Sequence, residues 1–323
     1  METIVPTVLE ILSTYGIVPV VVIEKPEAGE QLAQALLDGG LPCMEITFRT
    51  DAAVEALRQI TNKFPEITLG AGTVLNVEQA TMALDAGAKF IVSPGLNRKV
   101  VEYCLSKNVV IIPGVATPTD IEAALDMGLE NLKLFPAEAL GGVEYLKALG
   151  GPYKRVKFIP TGGIQQSNLL NYLSQQNVVA CGGSWMVRSD LITEEKFDEI
   201  RRLTQEAIDI MLGFELKHIG INCPDESQAL ANAQQLSNLI RFPIREGASS
   251  VFVGSSFEIT KKQFPGSHGH IAIGTNSIIR AIAILERRGY RARPETKSEK
   301  NGRLISVYLE KEIAGFAIHL LQK

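Results

Sequence analysis

The sequence predicts an α/β protein in two parts. A (β/α)8 TIM barrel is expected over residues 1–212, followed by a smaller α+β domain of two βαβββ modules over residues 213–323. Three observations carry this. Up to about Leu212, short runs rich in Val and Ile alternate with amphipathic stretches, the pattern of buried parallel strands and the helices that cover them. Beyond Leu212 that alternation stops, and one strand–helix–strand pattern occurs twice. All four histidines, His218, His268, His270 and His319, lie in this second part.

The apolar runs of the first part are VPVVVI (18–23), CMEITF (43–48), ITLGAG (67–72), FIVSPG (90–95), VVIIPG (109–114), LKLFPA (132–137), VKFIPTGG (156–163) and VVACGG (178–183). Several end in Gly or Pro, as strands entering turns do. Between them, Glu30–Leu37, Ala52–Phe64, Val77–Ala86 and Pro118–Met127 space their apolar residues three and four apart, along one helical face. Eight strand–helix units in so short a stretch make a barrel at the small end of its size range. A doubly wound open sheet is the competing arrangement. It usually has five or six strands, and no glycine-rich dinucleotide turn follows the first run here.

In the second part, a strand at 215–223 (ELKHIGINC) precedes a helix at Ser227–Ile240 and short strands near 242–246, 249–254 and 256–260. The pattern returns with a strand at 268–275 (HGHIAIGT), a helix at Asn276–Arg288 and strands near 290–295, 303–309 and 315–321. His218-Ile-Gly-Ile and His270-Ile-Ala-Ile are one theme set 52 positions apart, the mark of an internal repeat. The boundary falls near Met211–Gly213.

Composition narrows the function classes. With 46% hydrophobic and 21% charged residues the chain is neither disordered nor collagen-like. A net charge of −4 is the wrong sign for a protein that neutralises phosphate backbones, so no nucleic-acid partner is expected. Four cysteines, far apart and without a CxxC pair, fit a reducing cytoplasm rather than a zinc ribbon or a disulfide framework. The N-terminal apolar run Ile17–Ile23 is far short of the ~20 residues that span a bilayer. No leader pattern precedes it, so no membrane association is expected.

The first 217 residues contain no histidine. Acid–base chemistry there must use carboxylates, lysines, hydroxyls or water, and a His-ligated metal is excluded. Strand alternation puts Glu45, Thr47 and Arg49 on one face, opposite Met44, Ile46 and Phe48. It likewise sets Lys133 and Phe135 opposite Leu132 and Leu134. An inward lysine in an apolar strand has two readings: a buried ion pair with Glu45, or a nucleophile. Buried pairs seldom raise stability, which favours the second. Desolvation favours a neutral amine that can attack a ketone and form a Schiff base, an electron sink for breaking the neighbouring C–C bond. Arg49 could hold a carboxylate in a bidentate fork, and Glu45 is the proton shuttle on the same wall. Pro160-Thr161-Gly162-Gly163-Ile164 and Gly182-Gly183-Ser184 follow the seventh and eighth runs, where such barrels commonly bind phosphate. Plain tight turns are the other reading of those glycines.

At these residues the chain resembles a known family. MEITFRT (44–50), GAGTVLN (70–76), SPG (93–95), KLFPAE (133–138), PTGGI (160–164) and GGSW (182–185) are similar to the 2-keto-3-deoxy-6-phosphogluconate aldolase / 4-hydroxy-2-oxoglutarate aldolase family, over roughly residues 3–212. The resemblance implies a class I lyase that cleaves 2-keto-3-deoxy-6-phosphogluconate to pyruvate and glyceraldehyde 3-phosphate. Lys133 would be the Schiff-base lysine and Glu45 the general acid/base. Arg49 and Thr73 would hold the pyruvyl carboxylate, and Pro94 and Phe135 would line the pocket. Thr161, Gly162, Gly163, Gly183 and Ser184 would bind the rest of the substrate, the last four its phosphate. It also implies a homotrimer and no cofactor for the cleavage. The substrate stays open between the phosphogluconate, its galactonate epimer and 4-hydroxy-2-oxoglutarate, since no motif reads the one hydroxyl that separates the epimers.

The second part resembles the glyoxalase / vicinal-oxygen-chelate family, which implies a metal ligand on the first and last strand of each module. Those positions are His218, Glu258, His270 and His319, and the last departs from the more familiar Glu. Such a set suits divalent zinc, nickel or iron. Small or polar residues (Gly220, Asn222, Ala272, Gly274) share the histidine faces, while Ile219, Ile221, Ile271 and Ile273 should face a core. The competing reading is a domain that packs against the barrel or another subunit and binds no metal. Besides an aldolase, the sequence therefore leaves a bifunctional protein and a non-catalytic keto-acid-binding module.

Overall fold

The structure, a computed structural model, describes residues 7–323; residues 1–6 of the expected barrel lie outside it. The described residues divide into two compact units, with the boundary between Met211 and Leu212.

The strands of the first unit are β1 (Ile17–Val21), β2 (Cys43–Thr47), β3 (Thr68–Gly72), β4 (Phe90–Val92), β5 (Val110–Ile112), β6 (Gly114–Val115), β7 (Asn131–Leu134), β8 (Lys157–Phe158) and β9 (Cys181–Gly183). They pair in parallel, in the order β5-β4-β3-β2-β1-β9 and in a second sheet β6-β7-β8. The fifth expected run is broken into β5 and β6 at Pro113, which has no N–H for a ladder; its carbonyl still accepts the Lys133 N–H at 2.9 Å. The seventh and eighth runs are shorter than expected, and two isolated parallel bridges, Phe158–Val178 and Thr161–Gly182, connect them. Helices Ala28–Asp38, Ala53–Lys63, Val77–Asp85 and Pro118–Asp126 match the expected ones to within two residues. The last starts sharply because Thr117 and Asp120 cap each other's backbone N–H and Pro118 occupies the first turn, where no N–H is needed. Helix Val8–Tyr15, held by a similar Thr7–Glu10 box, was not read from the sequence.

In the second unit, β10 (Glu215–Asn222), β11 (Ile244–Glu246), β12 (Ser250–Val253), β13 (Phe257–Thr260), β14 (Gly269–Thr275), β15 (Ser298–Lys300), β16 (Arg303–Tyr308) and β17 (Phe316–Gln322) form one sheet. Its order is β11-β12-β13-β10-β14-β17-β16-β15. In each half the first strand runs parallel to the last, and the middle strands continue antiparallel from there. The halves join through antiparallel β10 and β14. Helices Glu226–Ile240 and Ile278–Arg287 follow the two leading strands. The strand expected near 290–295 does not form. A 3-10 turn at Pro294–Thr296 replaces it, leaving one bridge, Ala292–Leu309, and the edge strand begins only at Ser298. Pro294 cannot donate to a ladder and suits the first position of a helical turn. The isoleucine face is also less buried than expected. Ile219, Ile221, Ile271 and Ile273 are half-buried, whereas His270 and His319 are 3% and 8% exposed. Ile221 alone of these packs onto the Ala229–Val251–Ile259 core under the first helix.

Candidate functional site

Lys133 on β7 and Glu45 on β2 belong to different sheets, yet their charged ends meet. The Lys133 Nζ is 3.4 Å from the Glu45 Oε1, with 6% and 4% of the two side chains exposed. Flanking Leu132, Leu134, Met44 and Ile46 are buried on the opposite strand faces, as alternation requires. The Phe135 ring lies 5.2 Å from the amine. Room for the carboxylate comes from Gly72 on β3. A Cβ there would sit 1.9 Å from the Glu45 Oε1, closer than any packed contact. Thr47, expected on the same inward face, is buried and spends its hydroxyl on the Val21 carbonyl at 2.8 Å.

A cavity of about 390 Å³ opens between the turn after β2 and the chain after β7, β8 and β9. Its wall includes Arg49, Phe135, Thr161, Gly162, Gly163, Gly183 and Ser184. Arg49 reaches it from a turn rather than from a strand, because β2 ends at Thr47 and the Arg49 N–H closes back on the Thr47 carbonyl. Gly162 and Gly163 have φ of +96° and +83°, a backbone that side chains other than glycine rarely adopt. The remaining expected residues are not in that wall. Lys133 and Glu45 are buried, and Thr73 and Pro94 lie on the chain after β3 and β4. Thr73 has φ +58°, a left-handed conformation unfavourable for a β-branched residue by ~1–3 kcal/mol.

Two features here escaped sequence reasoning. The turn after β7 is joined to the loop after β8: the Ala137 N–H donates to Thr161 O at 2.8 Å, and the Glu138 N–H to Gly162 O at 3.1 Å. The buried Tyr172 hydroxyl donates to the Glu138 carboxylate, fixing the turn from behind. Arg188, unremarked in the sequence, is also part of the cavity wall. Neither has a local signal, since each depends on residues distant in sequence or on how a turn aims a side chain.

In the second unit the expected ligand positions converge. The nitrogens that His218, His270 and His319 can offer lie within 4.8 Å of one another. The Glu258 Oε2 is 3.0 Å from the His218 Nε2 and 3.3 Å from the His270 Nε2. Strand register explains this. Gly220 pairs with Glu258 on one side and His270 on the other, and Ala272 pairs with His218 and His319. Each pair of ligands thus flanks a small residue and leans over it. A Cβ on Gly220 would lie 2.1 Å from the His270 ring. Ser250, also absent from the sequence reading, donates to the other Glu258 oxygen at 2.5 Å. Tyr308, beside His319 in the next strand, stacks on its ring at 4.6 Å.

Burial alone would raise the Glu258 carboxyl, but hydrogen bonds from His218, His270 and Ser250 carry it well below the usual carboxylate range. Burial, then the neighbouring His270 and His218, push the His319 imidazole down to about 3, against an opposing pull from Glu258. Near neutral pH the cluster therefore offers an ionised carboxylate and a neutral imidazole, the forms that bind cations. The His319 Nε2 is buried with no hydrogen-bond partner among the described residues. The fourth histidine, His268, stands apart beside Phe316.

Comparison with known proteins bears on the first unit. A family model described as KDPG and KHG aldolase matches residues 8–203. The 2-dehydro-3-deoxy-phosphogluconate aldolase of Treponema pallidum is 48% identical over 205 residues, which is 64% of this chain and 98% of that one. The KHG/KDPG aldolase of Escherichia coli K12 is 42% identical over 199 residues, covering 62% and 93%. The KDPG aldolase of Legionella pneumophila, solved with pyruvate captured as a covalent carbinolamine intermediate, aligns with a TM-score of 0.61 at 37% identity over 62% of this chain and 98% of that one.

The Gly72 contact generates a test. Gly72→Ala should leave circular dichroism unchanged but displace the Glu45 carboxylate. Any reaction that needs the Lys133–Glu45 pair should then slow by at least about tenfold, towards the range of general acid–base losses. Wild-type turnover in Gly72→Ala would show that the pair tolerates displacement.

Proposed function

The chain belongs to the KDPG and KHG aldolase family, and on that premise we propose that its first unit is a class I aldolase cleaving 2-keto-3-deoxy-6-phosphogluconate to pyruvate and glyceraldehyde 3-phosphate. Cleavage of 4-hydroxy-2-oxoglutarate to pyruvate and glyoxylate is the same chemistry on a shorter acid. The observation that carries this is the buried Lys133 amine 3.4 Å from the Glu45 carboxylate, beside a cavity edged by Arg49 and two glycine loops. In this reading the two parallel sheets are parts of one eight-stranded barrel, supported by the Phe158–Val178 and Thr161–Gly182 bridges. A homotrimer in the cytoplasm, with no cofactor for the cleavage, completes it.

The Lys133 amine attacks the C2 ketone, a C–N bond forms, and loss of water leaves a protonated imine. The C3–C4 bond then breaks. Its electron pair moves through C3 into the imine to give an enamine, and the C4 hydroxyl proton passes to Glu45 as the aldehyde leaves. Glu45 returns the proton to C3, and water hydrolyses the imine, freeing pyruvate and the amine. Arg49 and Thr73 hold the carboxylate next to the ketone, while Pro94 and Phe135 close the apolar side. Gly162, Gly163, Gly183 and Ser184, with Thr161, receive the phosphorylated end.

A second reading concerns the second unit. The mirrored strand orders of its halves support two glyoxalase-like modules. The three converging histidines and Glu258 support a divalent metal centre, and the partnerless buried His319 Nε2 fits a metal ligand. His218, Glu258, His270 and His319 would hold the ion, which would supply Lewis acidity.

Each reading has its own test. Borohydride reduction in the presence of pyruvate should add the mass of a reduced pyruvyl adduct to the wild type but not to Lys133→Met, and Glu45→Gln should slow turnover by about 10²–10⁴. An adduct on Lys133→Met, or a rate for Glu45→Gln within threefold of wild type, would remove that residue from the mechanism. For the second unit, full-length protein dialysed against zinc, nickel or iron should retain the ion and melt lower in chelator. His319→Ala and Gly220→Ala should each weaken retention by about tenfold or more. No retention, with melting unchanged by chelator, would leave this unit an assembly module.

A further inference from the structure

We propose that Arg188 is a specificity-determining residue of the aldolase site: its guanidinium recognises the terminal phosphate of the substrate and sets the preference for phosphorylated over unphosphorylated keto acids. This rests on the aldolase reading above and assigns a role to a residue that no sequence motif singled out.

The cavity wall contains two cations, Arg49 and Arg188. Arg49 stands on the turn after β2, the strand that carries Glu45, and serves the carboxylate in that reading. Gly162, Gly163, Gly183 and Ser184 in the same lining offer amides and one hydroxyl but no formal charge. A phosphate monoester carries about −1.5 to −2 at pH 7, and a fixed guanidinium is the side chain best matched to it. Arg188, four positions after Ser184, is the second cation of that lining.

Local backbone geometry fixes where Arg188 stands. The Val187 N–H closes on the Ser184 carbonyl at 3.1 Å, a tight turn from which Ser184, Val187 and Arg188 all contribute to the cavity lining. The Arg188 carbonyl accepts from Ile192 N–H at 3.2 Å, anchoring the backbone. The guanidinium is gripped on one edge by Asp190, through its Nε at 3.0 Å and a second contact from Nη2. An exposed pair of this kind adds little stability, but it pre-orders the fork and leaves the Nη1 edge for an anion. The exposed position also makes the interaction sensitive to ionic strength.

The test compares wild type, Arg188→Ala and Arg188→Lys on 2-keto-3-deoxy-6-phosphogluconate and 4-hydroxy-2-oxoglutarate, with inorganic phosphate as competitive inhibitor. In Arg188→Ala the ratio of kcat/KM for the two substrates should fall by about 10–100-fold, mostly through KM. The inhibition constant for inorganic phosphate should rise in step. Arg188→Lys should recover part of both, and the wild-type preference should shrink with added salt. An unchanged ratio with an unchanged phosphate constant overturns the assignment and leaves Arg188–Asp190 an ordinary surface pair. If the wild type cleaves neither acid, the aldolase reading fails instead. Direct binding of inorganic phosphate to wild type and Arg188→Ala then decides the Arg188 proposal by itself.

Discussion

The first unit is organised around one expensive contact, the amine of Lys133 against the carboxylate of Glu45 in a place almost closed to water. Two charges removed from solvent are held only if each partner is delivered accurately. β2 delivers the carboxylate and β7 the amine, from different sheets. Gly72 on β3 supplies the missing volume beside the carboxylate, and apolar neighbours on the opposite strand faces, Met44, Ile46, Leu132 and Leu134, are buried. Since such a pair contributes little to stability, its placement is understood through the chemistry it permits.

The cavity next to that pair shares Phe135 with it, whose ring lies 5.2 Å from the Lys133 amine. Its wall combines positive-φ glycines, hydroxyl residues and two arginines. The chain after β7 and the loop after β8 are tied by backbone hydrogen bonds and braced by Tyr172 through Glu138. β7 and the glycine loop therefore keep a fixed spacing, which is what the proposed substrate, with a ketone at one end and an anion at the other, requires.

The second unit solves a related problem differently. Four ionisable side chains crowd together because two small residues, Gly220 and Ala272, alternate with them across the central strands. The rings then bury one another, with centroids 4.9 to 5.6 Å apart among the three histidines. That explains why the histidine face is more buried than the isoleucine face. Ser250 and Tyr308 complete it by holding Glu258 and covering His319.

Much of this was legible in the sequence, because it follows from periodicities that act over a few residues. The alternation of Glu45 with Met44 and Ile46, the lysine between Leu132 and Leu134, the glycine pairs after the seventh and eighth runs, and the repeated His-Ile-x-Ile theme are all local patterns. They determined the two-part architecture, most of the elements and nearly all the candidate residues. What the tertiary structure alone decided involves distance through space. It ended β2 at Thr47 so that Arg49 stands on a turn. It also set Gly72 against Glu45, Gly220 between Glu258 and His270, and Arg188 beside Ser184. A period of two or 3.6 residues says which way a side chain points from its own strand or helix. It carries no information about which neighbour has given up its Cβ to make room, because that depends on strand register, and register is settled only when the sheets form.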